Sequence, residues 1–393
     1  SALLLLLGLS VSFAVAEGLV RLLRPQPLLV ISPGLYVPDP PHRYRLTPGY
    51  YGTITNRTEF RHPVAINQAG LRGPAHSAAG LRGRRVLAIG DSFTFGMGVR
   101  DEETFIARLP DELRSLGLEA EGLNGGLPGT GIPDVVGWFE RHGVTLEPDL
   151  VVVAVFLGND LADAALDREE VVLDEGLIAP KGSATGLRAW LHRHSHLFLL
   201  AKNVLSRPGT LPLRRRLGLP DPWLLRNLSS EFAIYARTPS ATLERAAEAS
   251  ERAFEGLRQL GRARGFRLAA LLVPGEVQVD PERWQAALEM LWLEPGALDP
   301  QRPTRVFSEM LERVGIPWLD LTAPIAAALA GGETIYYQQD RHWTARGHAL
   351  AARHLARFLW ERGLLLGPGQ TDQPVAAGLR VGRLDGRQRD ADR

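Results

Sequence analysis

The stretch RVLAIGDSFTFGMG, Arg85 to Gly98, decides the fold. Two arginines precede four apolar residues, Val86, Leu87, Ala88 and Ile89, and the run stops at Gly90-Asp91-Ser92. A short apolar run bounded by glycine, with a helix-like segment after it at Glu102–Leu116, predicts a buried parallel strand feeding a βα turn. Open α/β sheets place their chemistry at the carboxyl ends of the strands. Ser92 therefore stands where a nucleophile belongs. It also stands where a serine caps a helix, and the stretch alone leaves both readings open.

Working outward, the rhythm repeats. A strand is predicted near Ala120–Leu123, entering the glycine-rich Asn124-Gly-Gly-Leu-Pro-Gly-Thr-Gly131, with a helix at Val135–His142. The third strand, Leu150–Leu157, is the most apolar run of the body and predicts a central position. Between residues 161 and 238 the rhythm breaks, and a stretch that long predicts a partly helical cap inserted over the site. It resumes with helix Ser240–Arg264, strand Arg267–Val273, helix Pro303–Val314, strand Ile316–Leu319 and helix Thr344–Arg362. The glycine- and charge-rich residues 363–393 read as a disordered tail.

Upstream, Ala2–Ala16 is an almost unbroken apolar run closed by Glu17. Residues 1–24 predict either a transmembrane anchor or a signal segment, the latter because Ala14-Val15-Ala16 matches a small-residue cleavage pattern. Either way the body is expected outside the cytoplasm. It would be membrane-anchored in the periplasm or at the cell surface, or secreted if residues 1–16 are removed. Residues 25–84 read as a proline-rich linker, extended over 25–50, and a lead-in segment that packs on the main domain.

Composition excludes several classes. The 393 residues carry a net charge of +1, so no nucleic-acid partner is expected, and the absence of cysteine removes disulfides, Fe–S clusters and thiol catalysis. No Gly-Lys-Ser/Thr follows the glycine loop, and Gly96-Met-Gly98 does not continue as a dinucleotide fingerprint. His192, His194 and His196 are close in sequence but lack a carboxylate cluster, so no metal site and no cofactor is expected. Asn56-Arg-Thr58 and Asn227-Leu-Ser229 match the glycosylation sequon, a frequent chance pattern.

Three features join Ser92 as candidates. Backbone N–H groups of the 124–131 loop can point at a negative oxygen. Gly158-Asn159-Asp160 follows the third strand, where an asparagine amide can donate to an oxyanion while the aspartate caps or fixes the loop. Asp340-Arg341-His342-Trp343 precedes the last helix; a carboxylate two residues before a histidine can share one side of an extended loop with it and hold its ring as a general base. His348, on that helix, is expected to pack against the loop.

Taken in order, Gly90-Asp91-Ser92, Asn124-Gly-Gly-Leu-Pro-Gly129, Gly158-Asn159-Asp160 and Asp340-x-His342 resemble the blocks of the SGNH/GDSL hydrolase superfamily, over about residues 67–360. Most of that family writes its last block Asp-x-x-His. The Asp-x-His-Trp variant resembles membrane-anchored bacterial members and alginate-type O-acetyltransferases, and Asn67–Gly73 resembles the lead-in of the anchored members. The resemblance implies a flavodoxin-like three-layer α/β/α sandwich with a five-stranded parallel sheet over 85–362. It also implies a serine esterase acting on acyl or O-acetyl esters, including those of cell-envelope carbohydrate. Ser92, His342 and Asp340 would be catalytic, Ser92, Gly129 and Asn159 would form the oxyanion hole, and Asp91, Gly158 and Asp160 would support them. Two alternatives stand beside it. One is acyl transfer to polysaccharide, which in alginate-type enzymes resembles a rearranged order with Asp-x-His before the serine. The other is a non-catalytic carbohydrate-binding or envelope-assembly protein that keeps the fold.

Overall fold

The computed structural model describes residues 2–26, 28–40, 43–75, 83–165, 171–174, 177–180, 187–205, 216, 232–291 and 295–366. The chain opens with helix α1 (Ala2–Leu23) and a set of short strands: β1 (Val30–Ile31), β2 (Tyr36–Pro38), β3 (Tyr44–Leu46), β4 (Tyr51–Thr55) and β5 (Arg61–Ala65). Strands β1, β4 and β5 pair antiparallel, as do β2 and β3. The proline-rich stretch is thus threaded with strands where an extended linker was predicted. Among the described residues, Pro33, Pro40 and Pro48 fall in turns and Pro38 ends β2, where a missing N–H is tolerated.

The membrane-spanning reading of residues 1–24 finds no support. Among the described residues no helix is long and apolar enough to cross a membrane. The physical reason lies at Glu17, which ends the apolar run after 15 residues, Ala2–Ala16. At 1.5 Å per residue that run spans about 22 Å, short of a hydrocarbon core of about 30 Å. Glu17 is also tied to protein. Its carboxylate accepts from the Ser195 hydroxyl and from the N–H groups of His196 and Leu197, at 2.7–2.9 Å. Burial works against the charge, but those donors and Arg21 outweigh it and hold the group at about 2. Leu4, Leu5, Leu7, Leu9, Val11 and Phe13 nonetheless face outward.

The body is built on strands β6 (Arg84–Gly90), β7 (Ala120–Gly126) and β8 (Leu150–Phe156), then, beyond the hairpin β9 (Val171–Asp174) and β10 (Leu177–Pro180), on β11 (Arg267–Val273) and β12 (Trp318–Asp320). These five long-range partners form one sheet in the order β12-β11-β8-β6-β7, every pair parallel. Counted along the chain this is 2-1-3-4-5, the flavodoxin-like order, whose direction of winding reverses between β6 and β8.

Helices α2 (Ser92–Phe95), α3 (Phe105–Ser115), α4 (Ile132–Arg141) and α5 (Asp160–Ala164) follow the first three strands of the sheet. The described part of 161–238 adds α6 (Leu187–His194) and α7 (His196–Leu205); the rest of the expected cap, like the tail beyond 366, lies outside the described residues. Then come α8 (Ala241–Arg264), α9 (Glu276–Val279), α10 (Pro281–Leu291), α11 (Arg302–Val314), α12 (Thr322–Ala330) and α13 (Ala345–Glu361).

Alternation along β8 shows why its sequence is apolar throughout. Val151, Val153 and Val155 join the core under α4, α8 and α11, whereas Leu150, Val152 and Ala154 join the core under α3, α12 and α13. Both faces of the sheet are covered, so no position along its central strand can be polar. A third core, made by the N-terminal strands, takes in Phe95, Met97 and Leu127 from the loops after β6 and β7. The small strands therefore pack on the carboxyl edge of the sheet.

Candidate active site

Strand β6 passes directly into α2, and Ser92 is the first helical residue. Asp91 caps that turn, its carboxylate accepting from the Phe93 N–H at 2.9 Å. On the far side of the sequence, the His342 ring lies between two partners. Its Nε2 is 2.8 Å from Ser92 Oγ and its Nδ1 is 2.6 Å from Asp340 Oδ1. A carboxylate only accepts, so Nδ1 carries the hydrogen and Nε2 is left to accept from the serine hydroxyl. Phe93 flanks the imidazole, with ring centroids 5.0 Å apart, and Phe93 is itself stacked on Phe156 at 4.1 Å. The side chains of His342 and Asp340 are 20% and 9% exposed, so the dyad is shielded yet reachable.

The loop carrying the dyad differs from the extended stretch predicted for it. Arg341, between the two, has φ +69°. A non-glycine residue in the left-handed region is strained, and here it turns the chain tightly enough for Asp340 to reach back under the ring. Surrounding bonds hold the strain: Tyr337 N–H donates to His342 O, Arg341 N–H donates to Tyr337 O, and the Tyr336 hydroxyl donates to Pro274 O at the end of β11. Trp343 anchors the loop from below as a fully buried side chain. His348 packs its ring against Phe105 and Trp343 and accepts the Phe105 N–H through Nδ1, and burial pushes its pKa down to about 3.

The parallel register brings the ends of β6, β7 and β8 to one edge, so the loops holding Ser92, Gly129 and Asn159 leave the sheet side by side. Gly129 has φ +74°, a conformation a glycine adopts without cost. The Tyr44 hydroxyl lies 2.8 Å from Pro128 O and 3.0 Å from Gly129 O. In a trans peptide the N–H points opposite the carbonyl, so fixing Pro128 O on Tyr44 aims the Gly129 N–H away from it. Tyr44 was not legible as a site residue; only its burial marks it. Gly158 lets the Phe156 ring pack closely, since a Cβ there would sit 2.4 Å from that ring. Asn159 immediately precedes α5, and its Oδ1 is buried without a hydrogen-bond partner.

Asp91 and Asp160 are fully buried behind this edge. Burial pushes Asp91 up to about 6, and burial together with the Asp91 charge pushes Asp160 well above the usual carboxylate range. Asp160 Oδ2 accepts the Phe156 N–H at 2.9 Å, while Oδ1 has no partner. An acid whose folded pKa is raised stabilises the fold while it is protonated and loses that contribution as pH climbs through the folded value. Asp160→Asn keeps a carbonyl acceptor and removes the buried charge. The variant is expected to match wild type near pH 4.5 and to exceed it by about 1–3 kcal/mol at pH 8. Thermal melts across that range decide it; a pH-independent difference would sink the assignment.

Other candidates resolve differently. Among the described residues no group of three or more His, Asp or Glu side chains could hold a metal. His194 instead packs against Trp190, and His196 Nδ1 accepts the Gln26 N–H. Asn56 is buried, and its Oδ1 accepts the N–H groups of Thr58, Glu59 and Phe60, so its amide is committed to a turn. Asn227 lies outside the described residues. Two charged residues that sequence reading passed over, Glu59 and Arg72, touch the loops of the dyad and of Ser92 respectively.

Comparison with known proteins finds similarity over part of the chain. A family model described as an SGNH hydrolase-like domain, acetyltransferase AlgX, matches residues 220–385, a span that holds Asp340 and His342 but not Ser92. The probable alginate O-acetylase AlgJ of Pseudomonas fluorescens is 26% identical over 168 residues, 42% of this chain and 37% of that protein. The chain thus spans little more than a third of the length of that curated relative. Among solved structures, a putative lipolytic protein of the G-D-S-L family from Desulfitobacterium hafniense is 14% identical, covering 70% of this chain and 99% of its own, with a TM-score of 0.36. An acetyl xylan esterase from Geobacillus stearothermophilus is 14% identical, covering 70% and 94%, with a TM-score of 0.38.

Proposed function

We propose that this SGNH hydrolase-like chain moves acyl groups through an ester formed on Ser92. The observation that carries the reading is the unbroken line Ser92 Oγ–His342 Nε2 and His342 Nδ1–Asp340 Oδ1, at 2.8 and 2.6 Å. Ser92 Oγ would attack the ester carbonyl carbon while its proton passes to His342 Nε2. Asp340 keeps Nδ1–H in place and stabilises the imidazolium that forms. The tetrahedral oxyanion would be met by the N–H groups of Ser92 and Gly129 and by the Asn159 amide. As the carbon–oxygen bond to the alcohol breaks, His342 returns the proton to the leaving oxygen. A second hydroxyl, activated by the same imidazole, then releases the acyl group from Ser92.

Whether that second hydroxyl belongs to water or to a sugar separates an esterase from a transferase. Chain order, with the serine before Asp-x-His, supports hydrolysis. The acetyltransferase description of the family model over 220–385 supports transfer. For either, an O-acetyl ester of envelope carbohydrate is the substrate class we propose, at a lipid surface that would cover the outward leucines of α1. The test is to supply p-nitrophenyl acetate with and without an oligosaccharide acceptor, quench in acid, and map acetyl groups by mass spectrometry. Acetyl on Ser92 with free acetate as the sole product means an esterase; acetylated oligosaccharide means a transferase. No acetyl on Ser92 in folded protein would remove the acyl-serine reading.

A further inference from the structure

The turn joining β4 to β5, residues 56–60, reaches the loops of Ser92 and His342 from outside the sheet. Asn56 organises this turn: besides accepting three N–H groups, it donates through Nδ2 to Glu59 Oε2 at 2.8 Å. So held, the Glu59 carboxylate accepts the backbone N–H of Gln339 at 3.1 Å and of Asp340 at 3.0 Å, residues about 280 positions further on. Thr58 Oγ1 meets the Gln339 side chain at 3.3 Å. The next residue, Phe60, packs its ring 5.2 Å from that of Tyr337, whose hydroxyl donates to Gly98 O in the loop following Ser92. One turn therefore touches both sides of the Ser92–His342 contact.

A second residue of the same unit grips the serine side. Arg72 is fully buried; its Nη1 donates to Phe95 O and Gly96 O, its Nη2 to Val99 O and its Nε to the Asp101 carboxylate. These carbonyls close the end of α2, the turn that Ser92 begins. The Arg72 N–H also donates to Asn124 O, joining the loop after β6 to the strand that leads to Gly129.

We infer that Glu59 is a positioning residue for the acyl-transfer reaction, one that sets where the Asp340–His342 dyad stands relative to Ser92; this rests on the function proposed above. Three donors converge on its two oxygens, and a carboxylate with about four acceptor positions can serve all of them, whereas an amide oxygen cannot. Losing the grip frees a loop already strained at Arg341. Displacing a base by about 1 Å costs on the order of a hundredfold in rate, with no contact to the substrate lost.

The experiment compares wild type, Glu59→Ala, Glu59→Gln and the control Val64→Ala, which thins the same N-terminal core away from the loop. Turnover of p-nitrophenyl acetate, the rate of fluorophosphonate labelling at Ser92, thermal melts and the low-field proton resonance of the His342 Nδ1–H are read on each. For Glu59→Ala the expected result is kcat and labelling rate down about 30-fold with KM within about twofold, and a broadened or shifted resonance. Glu59→Gln should recover part of the rate, because one acceptor oxygen remains. Val64→Ala should lower the melting temperature at least as much while keeping kcat within about threefold. Unchanged kcat in Glu59→Ala, or an equal fall of kcat in Val64→Ala, would overturn the inference. If wild-type protein neither turns over nor labels, the acyl-serine reading fails instead. The resonance then still decides whether Glu59 holds the dyad, since an unaltered signal in Glu59→Ala would overturn that too.

Discussion

Ser92→Ala will lower kcat on an activated acetyl ester by about 10⁴-fold or more, close to 5 kcal/mol of transition-state stabilisation, while KM stays within a few-fold. The magnitude follows from the geometry. Ser92 Oγ is the atom facing His342 Nε2, and without it the imidazole can at best activate water at a poorly defined position. What remains should be the contribution of the proposed oxyanion donors alone, because Gly129 and Asn159 stand on the loops after other strands and do not depend on the serine oxygen. Fluorophosphonate labelling at position 92 must vanish in parallel. A variant that kept more than about a tenth of wild-type turnover would locate the nucleophile elsewhere.

The second large effect is expected at Asp340. In Asp340→Asn the amide is nearly isosteric, so the loop, Trp343 and the Arg341 turn should stay as they are. The amide can donate to Nδ1, however, and the imidazole would then carry its hydrogen on Nε2, facing Ser92, where it cannot accept a proton. About 10⁴-fold in kcat is the expected loss, with binding of a non-hydrolysable ester analogue and the melting temperature little changed. Steady-state kinetics beside calorimetric binding separate this from unfolding. Wild-type kcat in Asp340→Asn would mean that Asp340 only shapes the loop.

Much of the body was legible because its strands obey a simple constraint. Val86–Ile89, Leu150–Phe156 and Leu268–Val273 must be apolar on both faces, and runs of that kind stand out in any sequence. Helix ends were legible where a cap marks them, as at Ser240 and Thr344, whose side chains accept the N–H groups that begin α8 and α13. The short N-terminal strands were not. Two to five residues cannot display a period, and prolines there signal a linker more strongly than a sheet edge. Helix α12 also escaped, because Thr322–Ala330 is nearly all alanine and apolar and has no amphipathic face.

The candidate site shows the same division. Gly90-Asp91-Ser92 and Asp340-x-His342 could be picked out because each is a local pattern at the end of an element. Glu59, Arg72 and Tyr44 could not, since each acts by bonding to backbone carbonyls or N–H groups of distant loops, and a backbone group leaves no trace of its partner in the sequence. The left-handed turn at Arg341 was equally invisible: an arginine does not announce a positive φ as a glycine does. The apolar run before Glu17 is a different case. Its composition suggested a span, but the charge that ends it is folded onto α7.

The order in which the sheet and the dyad are completed bears on how the protein is made. All five parallel strands precede Thr322 in the chain, whereas His342, the proposed base, comes later and is followed by the buried Trp343 and by α13, which packs over α3. A nascent chain can therefore assemble its whole sheet, with the serine already in position, while it has nothing to take the serine's proton. On the reaction proposed above, the order of the chain would withhold the base from Ser92 until the segment carrying Asp340 and His342 has been made.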